Sequence, residues 1–224
     1  MGAVAFSFDE QIERLVALGY PGLLGCDLQT FRRTLAGLRR AHVPDQGGVD
    51  LDRGQASFIL VVNCPAAPVA ATLPLVKRQG RQAIHRLYPR EPEFFRPIGS
   101  LALPRGDAYL LLDVDRGNDT LNATPLVAQA MIEAAGRSPL TVEEGVALLT
   151  QAPEFLQPNR CFMTLGSRGD DKRVPALWLS GKQPKLGWCW EGNPHTWLGF
   201  ASCLARSAAV SFPLSGRQEE ELAA

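Results

Sequence analysis

The sequence holds nothing long and apolar enough to suggest a membrane protein. A crossing helix needs about 18 apolar residues in a row, and the most compact apolar runs, residues 58–62 and 109–112, have the length of a strand. Cysteine is sparse and badly placed for bridging: Cys26, Cys64, Cys161, Cys189 and Cys203 are odd in number, widely spaced and free of any C-x-x-C pair. Neither a disulfide framework nor a zinc ribbon is expected, and most of the five read as buried thiols. An excess of one charge is lacking too. Lys and Arg together number 23, as do Asp and Glu, so no global field draws the chain to nucleic acid or to an anionic membrane, and neither partner is expected. No basic residue precedes Arg14 and no long apolar stretch opens the chain, which predicts no secretory signal and a cytoplasmic location. A G-x-S-x-G nucleophile elbow, a dinucleotide-binding fingerprint and internal repeats are likewise missing.

What is present suffices for a globular core. With 224 residues, 46% of them hydrophobic and 21% charged, the chain is expected to form a single α+β domain over residues 1–214, with a flexible polar tail at 215–224. Ser7 and Glu10 make a capping-box pattern ahead of Ile12, Leu15 and Val16, which recur with Phe8 at helical spacing. Asp27 stands where it can cap a second helix whose stripe is Leu28, Phe31, Leu35 and Leu38. Residues 44–56 read as loop and 58–62 as a buried strand. Prolines recurring from Pro65 to Pro97 make residues 64–104 loop-rich. Further on, a strand at 109–112 runs into the polar segment 113–119, a helix spans 125–135, and Thr141 with Glu144 makes a second capping box. Three short strands at 161–165, 174–179 and 186–190 follow. Asn193 as cap and Pro194 as first residue then predict a last helix, with Trp197, Leu198, Ala201, Leu204 and Ala205 on one face. The predicted architecture is a mixed or antiparallel sheet with an N-terminal helical pair and this C-terminal helix packed on it.

Three segments carry side chains suited to chemistry. Asp113, Asp115 and Asp119 cluster at the end of a strand, where α/β folds often present ligand-binding groups. The spacing is not that of an EF-hand, because Gly117 and Thr124 stand where oxygen ligands are required; the competing reading is that these residues cap turns through their own backbone. Residues 166–173 join two strands with more length than a plain hairpin needs. Arg168 and Arg173 there can clamp a carboxylate or phosphate, or can form ion pairs within a solvated turn. The third segment, 178–197, holds all four tryptophans. Strand alternation sets Trp188 and Trp190 on one face and Cys189 on the other. A helix capped by Asn193 would place His195 in its first turn, where the positive dipole end favours the neutral imidazole and free backbone N–H groups suit an anion. The same tryptophans are equally good core material. The spacing of Cys161, Cys189, His195 and Cys203 resembles no zinc motif, so no metal site and no cofactor is expected.

The blocks YLLLDVDRGNDTLN, TVEEGVALLTQAPEFL, CFMTLGSRGDDKRVPALWLS and PKLGWCWEGNPHTWLG, with LVALGYPGL nearer the start, are similar to those of an uncharacterised actinobacterial family, the domain of unknown function numbered 5701. The resemblance spans most of the chain and is weakest in the proline-rich middle and the tail. It implies a bacterial, intracellular setting, and brings no activity, cofactor or catalytic residue with it.

The chain is accordingly expected to be a small-molecule enzyme or binding protein with a pocket walled by Trp188, Trp190 or Trp197. His195 would be the acid/base or orienting group and Asp115 a second polar contact, while Arg168 or Arg173 would meet an anionic part of the ligand and Asn193 would also bind it. The alternative is a non-catalytic interaction module, in which the tryptophans meet a protein partner or pack the core.

Overall fold

The computed structural model describes residues 4–41 and 46–213; the tail expected over 215–224 and the first two residues of the loop expected over 44–56 lie outside them. Strand β1 (Val4–Ser7) leads directly into helix α1 (Phe8–Ala17). Ser7 Oγ accepts from Glu10 N at 3.1 Å while Glu10 Oε2 accepts from Ser7 N at 2.7 Å, so the capping box forms as expected. A short turn, α2 (Tyr20–Leu23), precedes α3 (Leu28–Ala36), which Asp27 opens by accepting from Thr30 N at 2.9 Å.

Residues 46–50 are a strand, β2 (Gln46–Asp50), and not the expected loop. It pairs antiparallel with β1, Val4 opposite Val49, and with β3 (Gln55–Val62), Val49 opposite Ala56. Glycine marks close packing here: a Cβ on Gly47 would strike the Phe58 ring. The proline-rich stretch is broken into a one-turn helix α4 (Val69–Thr72) and two-residue strands β4 (Lys77–Arg78), β5 (Arg81–Gln82), β6 (Ile84–His85) and β7 (Arg96–Pro97). Then come β8 (Ala108–Asp115), α5 (Pro125–Ala134), β9 (Ser138–Pro139) and α6 (Val142–Gln151), the last opened by the second capping box, in which Glu144 N donates to Thr141 Oγ1 and Thr141 N to Glu144 Oε2. The rest of the chain is β10 (Cys161–Met163), β11 (Ser167–Arg168), β12 (Arg173–Ser180), β13 (Gln183–Trp190), β14 (Leu198–Phe200) and β15 (Ser202–Val210).

The strands assemble a single-domain α+β fold around two sheets. The first is antiparallel, in the order β1-β2-β3-β8-β15-β9; the second, β14-β10-β12-β13-β6, is mixed, with β14 parallel to β10 and β6 parallel to β13. Residues 58–62 of β3 are buried without a gap because both faces of the first sheet are covered. Phe58, Leu60 and Val62 pack with Leu110 against Phe8, Ile12 and Leu15 of α1 and Phe31 and Leu35 of α3, and Phe31 stacks on Phe212 with centroids 5.5 Å apart. Ile59, Val61, Tyr109 and Leu111 face the other way, into a larger core shared with α6 and the second sheet. Each such side chain contributes about 1.5–3 kcal/mol by leaving water. Helix α6 lies in this core with every residue but Glu143 buried, the polar Glu144, Thr150 and Gln151 included.

The helix expected after Asn193 does not form. Residues 198–210 are β14 and β15, with only Ala201 between them, and β15 pairs antiparallel with β8 along the middle of the first sheet, Ser202 opposite Asp115 and Arg206 opposite Leu111. Apolar residues at 197, 198, 201, 204 and 205 satisfy helical spacing, but the free edge of the buried strand β8 requires a ladder partner, and backbone groups buried there without one would be costly. Close approach settles the register at the junction. Gly117, at φ +88° in the turn after β8, and Gly199 of β14 lie backbone to backbone; a Cβ on Gly117 would strike Phe200 of β14, and one on Gly199 would strike the Gly117 backbone. Among the described residues no helix is long and apolar enough to cross a membrane.

Candidate functional site

The β12–β13 hairpin presents Arg173, Trp188 and Trp190 on one face, because Arg173 stands opposite Trp190 and Pro175 opposite Trp188. The two indoles meet edge to face with centroids 5.3 Å apart, and the Arg173 guanidinium carbon lies 4.5 Å from the Trp188 centroid and 5.3 Å from that of Trp190. Asp171 holds the same guanidinium in an ion pair and also accepts from Arg173 N at 2.9 Å. Arg173 is therefore committed to a cation–π stack and its own carboxylate. Trp188 is half-buried against the core, whereas Trp190 is 45% exposed.

His195 sits in the loop between β13 and β14, so it has no helix dipole behind it. Its carbonyl accepts from Asn122 N at 2.9 Å, its ring lies 5.7 Å from that of Trp197, and its Nε2 is enclosed without a partner. Burial alone holds its pKa below the ordinary histidine value, which keeps the imidazole neutral near pH 7. Asn193 is exposed and makes a turn, its N–H donating to Trp190 O at 3.1 Å. Asp115, at the end of β8, accepts from Gly117 N at 2.6 Å and from Gln55 Nε2 at 3.3 Å. It caps its own turn, the second of the two readings open to it in the sequence.

Arg168 is half-buried. It lies on β11, which pairs with β7 so that Arg168 faces Arg96 in register, and its terminal nitrogen donates to Glu191 Oε2 at 2.6 Å. Lys172 Nζ is 4.0 Å from the other oxygen of Glu191. Arg168 and Glu191 border a cleft of about 690 Å³. One wall is the start of α5, with Thr124, Pro125 and Leu126, followed by Gln129 and Glu133; Ile98, Ser100 and Leu165 close another, with Arg168, Glu191 and Gly192 between them. Thr124 makes no side-chain cap, and the first backbone N–H groups of α5 have no partner within the helix. The structure thus brings Arg173 together with Trp188 and Trp190, and His195 with Trp197, but Arg168 alone of the expected residues lines this cleft.

Sequence reasoning missed Gln129, Glu133, Glu191, Ile98 and Ser100, which come together only through the β7–β11 pairing and the placement of α5. One signal was available. Residues 125–134 are apolar nearly all round yet too polar at Gln129 and Glu133 to be a core helix, and in the structure Leu126, Val127 and Met131 are indeed exposed. Among the described residues no three His, Cys, Asp or Glu side chains are grouped to hold a metal ion.

Fold and cleft together define a two-sheet α+β protein with an open cleft of mixed polarity at one edge. The chain belongs to the family of unknown function DUF5701, whose profile matches residues 14–209. Neither the curated proteins nor the solved structures give a match to it.

Proposed function

We propose that the chain binds a small polar molecule carrying an anionic group, in the cleft beside the first turn of α5. Arg168 is the observation that carries this reading. Among the described residues it is the one cation that lines the cleft, and its bond to Glu191 occupies one terminal nitrogen, so a guanidinium with five donors keeps others for a carboxylate or phosphate. The unpartnered N–H groups at the start of α5 add positive character to the same end. Gln129 and Glu133, joined by a bond of 2.6 Å, stand further along the helix and offer acceptors to hydroxyl or ammonium groups at the ligand's other end. Ile98, Leu126 and Leu165 supply apolar surface between the two. The family resemblance supports a bacterial, intracellular setting, and a role in accessory metabolism is our proposal for the use of this site.

The test is a thermal-shift and calorimetric screen of small carboxylates and phosphates. A binder should lose about ten- to hundredfold in affinity in Arg168→Ala, the worth of a charged hydrogen bond, and should shift the emission of Trp190, the neighbour of Glu191. A panel with no binder, or binding indifferent to Arg168→Ala, would sink the reading. A second reading, a non-catalytic interaction module, is favoured by the outward row on α5, where Leu126 is 83% and Val127 51% exposed. Its mark would be an association seen by light scattering and lost in Val127→Lys.

A further inference from the structure

The cleft beside α5 has a direction. Leu126, Gln129 and Glu133 line it at helical spacing and so form one stripe along the helix; at a rise of about 1.5 Å per residue, that stripe runs for about 10 Å. Arg168 belongs to the N-terminal end of the stripe. Its partner Glu191 opens the loop after β13, and that loop meets the chain just ahead of α5, where Asn122 N donates to His195 O at 2.9 Å. The far end is acidic. Glu133 is the last residue but one of α5, is exposed, and has the neutral amide of Gln129 as its bonded neighbour; among the described residues no cation pairs with it. The bond from Gln129 Nε2 to Glu133 Oε1 leaves each side chain one oxygen with which to accept from a ligand.

The helix reinforces this polarity. α5 carries no acidic residue in its first turn and no basic residue in its last, so its own side chains do not offset its macrodipole, whose positive end falls beside Arg168 and whose negative end falls beside Glu133. The charges of the lining run the same way. Arg168 is paired with Glu191, which leaves Glu133 as a carboxylate without a counter-ion. A hydroxyl group would accept or donate there without answering that charge; an ammonium group answers it. Ile98, Leu126 and Leu165 are the apolar part of the lining. We propose that the ligand of this cleft is a linear ω-amino acid, its carboxylate held by Arg168 and the first turn of α5, its methylene chain lying on Ile98, Leu126 and Leu165, and its ammonium group donating to Gln129 and Glu133. This inference rests on the Arg168 reading and adds to it a second charge and a length.

Calorimetry of the full chain at low salt with ε-aminocaproate, caproate, glycine and acetate tests this. ε-Aminocaproate should bind about two- to fivefold more tightly than caproate, the worth of an ion pair to an exposed carboxylate, and the gain should fade as salt is added. Glycine, too short to reach from Arg168 to Glu133, should show no gain over acetate. In Glu133→Gln the affinity for ε-aminocaproate should fall to that for caproate, while caproate binds as before; the melting temperature should not change, because the side chain is exposed. Arg168→Ala should weaken both ligands together. Equal affinity for caproate and ε-aminocaproate, or a preference that survives Glu133→Gln, would overturn the inference and leave the Arg168 reading standing. So would a failure of ε-aminocaproate to bind where other carboxylates or phosphates do. Binding by none of them removes the Arg168 reading itself, and this inference with it.

Discussion

Glu144 and Arg206 form a bidentate pair inside the larger core, Arg206 Nε meeting Glu144 Oε1 at 2.6 Å and a terminal nitrogen meeting Oε2 at 2.7 Å, with Glu144 fully enclosed. The remaining capacity is filled. Tyr109 Oη donates to Oε1 and Thr141 N to Oε2, both at 2.8 Å, while Arg206 also reaches Ser138 Oγ and Pro139 O at 2.7 and 2.9 Å. Burial by itself would lower the Arg206 pKa, but the bonds to Glu144 carry it above its ordinary value. The network ties α6 to β8, β9 and β15.

Breaking this pair from one side leaves the other charge buried and alone, which costs about 3–5 kcal/mol. Glu144→Leu and Arg206→Met should each lower stability by that amount in urea denaturation. The double variant should recover most of the loss, since apolar pairs often replace buried ion pairs at little cost. Additive losses would show that the two residues act separately.

Alkaline pH should unfold the protein through Tyr109. Burial first, and then the charge of Glu144, push its phenol far above the ordinary tyrosine value. A group whose folded pKa is raised contributes stability that is whole below the unfolded pKa, about 10 for tyrosine, and is lost as the pH climbs past it. Stability measured by urea denaturation should therefore fall by about 1.4 kcal/mol for each pH unit above about 10. Tyr109→Phe should flatten that fall; Tyr20, pushed up to about 12 by burial, should keep part of it.

Gly199→Ala should destabilise by about 1–3 kcal/mol, because the new methyl group would run into the backbone of Gly117. The urea midpoint measures it. A loss near that of an ordinary surface substitution would mean that the turn after β8 and β14 can separate without harm.

The sequence showed the helix starts well and the strand partners poorly. Ser7, Asp27 and Thr141 each accept a hydrogen bond from the third residue of the helix they open, a bond made within four residues and so visible in local spacing. At Asn193 and Pro194 the same local signal is present and fails, because the fate of residues 198–210 is set by β8, some ninety residues earlier in the chain. Gly47 and Gly48 hid β2 for a related reason, since glycine reads as loop until Phe58 is seen across the strand. Arg168 was legible because its connection is longer than a hairpin needs. Glu191, Gln129 and Glu133 were not, since nothing near them in sequence announces that β11, the turn after β13 and α5 will share one wall.

The single residue Ala201 carries the chain from the second sheet to the first, its N–H donating to Met163 O at 3.0 Å and its carbonyl accepting from Leu140 N at 2.9 Å. With no slack at that crossing and α6 wedged between the layers, neither sheet can melt while the other stays folded. The protein should lose its structure in one cooperative, all-or-none transition. A ligand held in the Arg168 cleft should therefore raise the stability of both sheets together.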